Sequence, residues 1–229
     1  MLQVRAGIPL KLILFDVDGT LVDSQNVIAA SIRGAFQAFG LEPPSRERSL
    51  SIVGLSLVEA FTVLAGAKAP VEGLAQAYRD AYTAIHLDPA NAAPLFPGAA
   101  ECVARLKERD DVLLGLATGK SRKGVTRLIA QQGWEHVFAT TQTADDAPSK
   151  PHPAMILQAM EELGVAPGDT LMIGDSSYDM AMGRAAGVLS VGVSWGFQPV
   201  AALTEAGADG IVHSFAELEP VLRAFLSGA

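Results

Sequence analysis

The sequence predicts an α/β protein, a doubly wound, mainly parallel Rossmann-like core sheet with a small all-helical domain inserted after the first strand. Three observations carry this reading. Short apolar runs, several of them β-branched or bounded by glycine, recur along the 229 residues and are too short for helices. Stretches of helical spacing separate them, and strands that alternate with helices form parallel sheets covered on both faces. The rhythm fails only from residue 24 to about residue 91, where apolar helical patterns follow one another without a strand.

Taken in order, residues 10–15 make the first strand, closed by the carboxylates and glycine of Asp16-Val17-Asp18-Gly19. Asp23 and Ser24 then offer N-cap side chains to a helix over 25–39. Pro43-Pro44, Gly54 and the stretch 66–70 divide the rest of the insertion, and its exit runs through Pro89, Pro94 and Pro97. The turn at 53–57 reads as a plain helix connection, the alternative being that it faces the active end of the core. Beyond the insertion the expected helices are 98–109, 122–132, 153–163, 177–186, 200–205 and 215–226. The strands between them are 112–117, 137–141, 170–174, 189–193 and 210–213. Residues 1–22 and 94–229 therefore form a split core, and 23–93 a helical module.

Charge narrows the function. With 17 Lys and Arg against 25 Asp and Glu, the formal charge is −8, which repels phosphate backbones and anionic lipid. Neither nucleic-acid nor membrane binding is expected, and an anionic substrate requires locally placed positive charge. The longest uncharged stretch, 185–204, is broken by Gly187, Gly192, Gly196, Gln198 and Pro199, unlike a membrane span. A single cysteine, Cys102, forbids an internal disulfide and suits a reducing compartment. No secretory signal is read at the N-terminus, and the cytoplasm is the expected location.

The chemistry gathers at strand ends. Asp16 and Asp18, spaced by two on extended backbone, point the same way, and Gly19 permits a sharp turn after them. Asp-x-Asp-Gly also occurs in calcium loops, but the further oxygen ligands and the downstream glutamate of such a loop are missing. Three other strands lead into matching residues: Thr118-Gly119-Lys120, then Ser149-Lys150-Pro151 after a loop, then Asp175 with Asp179 four residues on. In open parallel sheets the crevice lies beyond the carboxyl ends of the strands, so these residues are expected to converge. Taken singly each has a plainer role: Thr118 as a cap, Lys150 as a solvated charge, Asp175 and Asp179 at a helix start.

Together, Phe15-Asp16-Val17-Asp18-Gly19-Thr20-Leu21-Val22-Asp23-Ser24, Thr118-Gly119-Lys120, Lys150-Pro151 and Gly174-Asp175-Ser176-Ser177-Tyr178-Asp179 resemble the haloacid dehalogenase superfamily, more narrowly its phosphoglycolate phosphatase-like hydrolases. The resemblance covers nearly the whole length and turns the insertion into a cap domain. It implies a Mg²⁺-dependent phosphatase with a covalent aspartyl-phosphate intermediate and a small phosphorylated metabolite as substrate, phosphoglycolate first. Asp16 is then the nucleophile, and Asp18 the acid and base, a role that asks for an Asp pKa raised toward neutrality. Asp16, the Asp18 carbonyl and Asp175 bind the metal, with Asp179 direct or through water. Lys150, Thr118 and Gly119 hold the phosphoryl group. Two like charges about 4 Å apart repel by roughly 4 kcal/mol at an effective dielectric of about 20, so four such carboxylates call for a cation. Asn often stands in the family where this chain has Gly119, which leaves backbone donation intact.

Other features are weaker. Trp134 and Trp195 read as packing residues, and His152, between two prolines, as part of a helix start. Arg46, Arg48 and Arg79 read as solvated charge, with a substrate carboxylate as the alternative. Within the same fold a phosphosugar mutase uses the same Asp pair. From another class, a phosphoacceptor signalling module also places Asp, Thr and Lys at strand ends, though without a cap or a general acid.

Overall fold

The computed structural model describes residues 10–86 and 91–228, so the expected exit turn at Pro89 lies outside the described residues. Six strands, β1 (Lys11–Phe15), β2 (Val112–Ala117), β3 (Thr140–Gln142), β4 (Thr170–Gly174), β5 (Leu189–Val193) and β6 (Gly210–Val212), pair throughout in parallel in the order β3-β2-β1-β4-β5-β6. The chain builds outward from β1 in one direction and then returns to build outward in the other. This leaves a crevice where the order reverses, beyond the ends of β1 and β4.

The strands read as continuous apolar runs because helices cover both faces. Ile13 and Phe15 point into one cluster with Leu114, Leu116, Leu171 and Ile173, closed by helices α5 (Ala99–Lys107), α6 (Arg122–Gln132) and α10 (Phe215–Ser227). Leu12 and Leu14, the alternate residues of the same strand, pack with Met172 against α7 (Ala154–Leu163) and α8 (Ser177–Ala186). These four of the five β1 side chains are fully buried, each contributing about 1.5–3 kcal/mol of transfer free energy. The short helix α9 (Val200–Glu205) completes the core between β5 and β6.

One strand differs from the sequence reading. Residues 137–141 were expected to be extended, yet β3 spans only Thr140–Gln142. Val137 belongs to a turn, its amide donating to the Trp134 carbonyl at 3.1 Å, and the chain enters the sheet only at Ala139. The apolar run there reflects burial of Val137 beside Trp134 in the core rather than strand pairing.

The remaining helices, α1 (Gln25–Ala38), α2 (Arg46–Leu50), α3 (Leu57–Ala65) and α4 (Val71–His86), lie between β1 and α5 and enclose a cluster of their own. Ile28, Ile32, Phe36, Phe61 and Leu74 form its centre. A file of rings runs through it, Phe36 to Phe61 at 6.1 Å, Phe61 to Tyr78 at 6.0 Å and Tyr78 to Tyr82 at 5.8 Å between centroids. This module meets the core chiefly through 51–56. Ser56 N–H donates to Ser149 Oγ at 2.8 Å, and Gln198 Nε2 donates to the Ser51 carbonyl at 3.1 Å. Among the described residues no helix is long and apolar enough to cross a membrane.

Candidate active site

The ladder of β1 continues one residue past the strand, Asp16 N–H donating to the Ile173 carbonyl at 2.9 Å, and this aims the Asp16 side chain over the sheet's end. The chain then folds back on itself, with the Leu21 and Val22 amides both reaching the Val17 carbonyl at 2.9 Å. Gly19 makes the turn at φ +92°, and a Cβ there would lie 2.2 Å from Asp175 Oδ2. On the neighbouring strand, Asp175 directly follows β4. Its Oδ2 accepts the Phe197 amide at 2.8 Å and its Oδ1 the Thr20 hydroxyl at 3.3 Å. Asp179 is locked at the start of α8 by a capping box with Ser176.

Lys150 ties these ends together. Its Nζ donates to Asp16 Oδ1 at 2.8 Å and to Asp179 Oδ1 at 2.6 Å, and its side chain is completely buried. Oxygens of Asp16, Asp175 and Asp179 lie within 4.8 Å of one another, all three residues buried. Burial pushes the Asp16 carboxyl up to about 6; Lys150 opposes the shift, while Asp179 and Asp18 add to it. Asp175 is pushed well above the usual carboxylate range, again by burial first and then by Asp16 and Asp179. Burial works against the Lys150 charge, but the two carboxylates outweigh it and raise its pKa. Three carboxylates against one ammonium leave a buried negative excess. Such a set of hard oxygen donors fits a divalent cation of the Mg²⁺ type. Asp179 accepts three bonds, one from Lys150 and two from the Ser176 amide and hydroxyl, where Asp175 accepts two and Asp16 one, so Asp16 and Asp175 are the less committed candidate ligands.

Asp18 stands apart from that cluster. Its carboxylate accepts the Ser24 hydroxyl at 2.7 Å and lies 2.9 Å from Lys120 Nζ, whose other partner is the Tyr82 hydroxyl at 3.2 Å. Thr118, buried at the end of β2, accepts the Lys120 amide at 3.2 Å. Asp16, Asp18, Thr118, Gly119 and Lys120 open together into a cavity of about 400 Å³ whose opposite wall is the helical module. There Gly119 meets the 53–57 turn so closely that a Cβ on it would lie 2.7 Å from the carbonyl oxygens of both Gly54 and Leu55.

Several sequence readings change here. The 53–57 turn faces the site instead of merely joining helices, because the Ser56 amide finds its partner in the core at Ser149. Ser24 precedes α1 but makes no side-chain cap; its hydroxyl is engaged by Asp18 instead. The upward pKa shift expected from carboxylate crowding falls on Asp16 and Asp175, the two pushed up mainly by burial. His152 Nδ1 accepts the Ala154 amide at 3.2 Å at the start of α7, and Trp195 donates to the Thr20 carbonyl at 3.0 Å while stacking near Phe215. Arg46, Arg48 and Arg79 are all bonded within the helical module, Arg79 to Gln76 at 3.4 Å, and Arg79 also lines the cavity. Sequence reasoning left Lys120 and Tyr82 without roles. Lys120 was visible as the residue after Thr118-Gly119, but nothing local marks Tyr82 as its partner.

An α/β core with buried carboxylates and a lysine at the crevice of its sheet, roofed by an inserted helical module, is the architecture of a class of hydrolases. The chain belongs to the haloacid dehalogenase-like hydrolases, whose family pattern matches residues 13–193. Among curated relatives, a "Probable phosphatase IndB" of Dickeya dadantii is 32% identical over 219 residues, covering 94% of each chain. A "Phosphoglycolate phosphatase" of Haemophilus influenzae is 29% identical over 223 residues, covering 93% of this chain and 98% of that one. Among solved structures, a haloacid dehalogenase-like hydrolase from Streptococcus pneumoniae superposes with a TM-score of 0.79 at 26% identity, covering 93% of this chain and 98% of that one.

Proposed function

We propose that the protein is a Mg²⁺-dependent phosphatase that hydrolyses a small organic phosphomonoester through an aspartyl-phosphate on Asp16. The observation that carries this is the Lys150 ammonium bridging Asp16 and Asp179 beside Asp175, a buried set with negative charge in excess. Phosphomonoesters hydrolyse extremely slowly unaided, so a useful site must supply positioning, charge stabilisation and a division into two steps. Held by Asp16 and Asp175 with the Asp18 carbonyl, Mg²⁺ supplies charge neutralisation for a dianionic phosphoryl group and its approach to a carboxylate.

The chain's own residues do the rest. Asp16 Oδ attacks phosphorus in line, and the ester P–O bond breaks as the Asp16–phosphorus bond forms. Asp18 gives its proton to the departing alkoxide, which leaves as the alcohol, and then accepts a proton from the water that cleaves the acyl phosphate. Ser24 and Lys120 hold the Asp18 carboxylate in place for both transfers. Lys150, the Thr118 hydroxyl and the Gly119 amide stabilise phosphoryl oxygens. The free phosphate leaves and Asp16 is restored.

Phosphoglycolate, the substrate in the name of the Haemophilus relative, belongs to the class proposed. A cytoplasmic setting suits a chain whose one cysteine, Cys102, is buried, with its thiol pushed up to about 11 by burial. The test is phosphate release from a panel of metabolite esters with Mg²⁺. Asp16→Asn or chelation is expected to bring release to background, and substantial release surviving either change overturns the reading. Isomerised sugar phosphate in place of free phosphate identifies a mutase.

A further inference from the structure

Phosphate chemistry occupies only one end of the 400 Å³ cavity. Pockets of ~300–1,000 Å³ are of the size that takes drug-sized ligands, well beyond what a two-carbon acid fills. The lining divides between the core and the helical module. The core offers Asp18, Thr118 and Lys120; the module offers Ile28, Ile32, Ile52 and Phe61, all buried, and the half-buried Leu57 and Leu64, with the polar Ser56, Gln76 and Thr83 among them. The apolar ones belong to the helical module's own cluster and end in the ring file from Phe61 through Tyr78 to Tyr82. The wall residues come from α1, α3 and the turn before α3, so the apolar surface is continuous across elements and opens on the reacting carboxylates.

Charge at the cavity does not single out a second anion. Lys120 is already bonded to Asp18. Arg79, Lys123 and Arg127 line the cavity in company with Asp80 and Asp145. Of these five, all but the half-buried Arg127 are exposed, which places them toward solvent. A carboxylate or phosphate on the leaving group, if set against the helical module's apolar side chains, would lose water there without a buried cation to meet it. An apolar group pays no such desolvation cost and covers the surface that the half-buried Leu57 and Leu64 still expose.

We infer that the preferred substrate is a phosphomonoester of an apolar alcohol, alkyl or aryl, whose hydrocarbon body lies against Ile28, Ile32, Leu57, Phe61 and Leu64 while Asp16 takes the phosphoryl group. This deepens the phosphatase reading and rests on it. Hydrolysis consumes water and yields the free alcohol and inorganic phosphate, the alcohol oxygen carrying the proton delivered by Asp18. The class of reaction supplying such a substrate is phosphorylation of an apolar primary alcohol or phenol.

The experiment is phosphate release from the wild-type chain with Mg²⁺ on n-alkyl phosphates from ethyl to hexyl, on phenyl phosphate and on phosphoglycolate. Each methylene buried against the wall is expected to raise kcat/KM about fourfold until the cavity is filled. Phenyl phosphate is expected to exceed phosphoglycolate by at least about tenfold. A flat alkyl series, or phosphoglycolate turned over as well as or better than phenyl and hexyl phosphate, overturns the inference and leaves the phosphatase reading standing. No release from any ester overturns both. In Leu64→Asn the hexyl-to-ethyl ratio of kcat/KM is expected to fall about tenfold, and an unchanged ratio counts against the wall. Should that variant not fold, the same ratio is read in Leu57→Asn.

Discussion

Two lysines bind the carboxylates of the site, and they are held in different ways. Lys150 has no solvent exposure, and the carboxylates it bridges, Asp16 and Asp179, both belong to the core. Lys120 retains 11% side-chain exposure and spans two parts of the molecule, with Asp18 on the core side and the Tyr82 hydroxyl on the helical side. Its Nζ also sits 5.3 Å above the Tyr82 ring, within reach of a cation–π contact. Burial opposes both charges, and in each the neighbouring carboxylates prevail and raise the lysine pKa. The partners of Lys150 thus lie wholly in the core, whereas Asp18 is tied through Lys120 to the helical module as well. On the proposed mechanism, a movement that parted Tyr82 from Lys120 would alter the setting of Asp18 and leave the bonds of Lys150 in place.

This contrast is open to attack at its strongest point first. In Lys150→Met two buried carboxylates lose their common cation. Turnover is expected to fall about 10²–10³-fold, and the cation-free protein to lose about 3 kcal/mol by denaturant unfolding. A variant that keeps wild-type turnover would mean that Lys150 is only a structural tie.

On the proposed reading protons and Mg²⁺ would compete for the same carboxylates. As the pH falls through about 6, Asp16 takes up a proton, and Asp175 is also raised, so apparent Mg²⁺ affinity by calorimetry should drop at least about tenfold between pH 7.5 and 5. The cation-free chain should behave in the opposite sense. A carboxyl whose folded pKa lies above its unfolded value near 3.8 binds more protons folded than unfolded between those values. Stability in that protein therefore rises as the pH falls from about 6 toward 4. Equal Mg²⁺ affinity at both pH values would remove Asp16 and Asp175 from the ligand set.

Weaker effects are expected where the two parts meet. Gly119→Asn places a Cβ 2.7 Å from the Gly54 and Leu55 carbonyl oxygens, so the 53–57 turn must withdraw. KM should rise on the order of tenfold with a smaller change in kcat, a single mispositioned contact being worth about this much. Tyr82→Phe removes one hydrogen bond to Lys120 and keeps the ring. A loss of about threefold in kcat/KM is expected, matching a net bond of roughly 0.5–1.5 kcal/mol. A larger loss than that of Lys150→Met would reverse the ranking of the two lysines.

Much of this was legible before any coordinates. Apolar runs bounded by glycine located β1, β2, β4 and β5 to within a residue, since a strand covered on both faces must be apolar at nearly every position. The edge strand β3 was misplaced because Val137 is apolar for packing against Trp134, and burial in a turn leaves the same mark as burial in a strand. Asp16, Thr118 and Asp175 could be named from their places at strand ends, and Lys150 from the loop that follows β3. Ser24 could not be read correctly: a serine before a helix looks like a cap whether or not its hydroxyl is engaged elsewhere. Val53 to Leu57 carried no mark of its contact with Gly119, because backbone oxygens leave no trace in a sequence.

Local order along the chain was enough to establish the doubly wound core, the place of the helical insertion and the residues offered at each strand end. Hydrophobic period and turn residues act over a few positions, and both are written in consecutive amino acids. Partner choice was decided only in three dimensions. Asp18 and Lys120 are 102 positions apart, Lys150 and Asp16 are 134, and the apolar wall gathers side chains from helices that are not adjacent in sequence. Those pairings depend on how strands order in the sheet and how the helical module docks on it. Packing of the whole chain sets both.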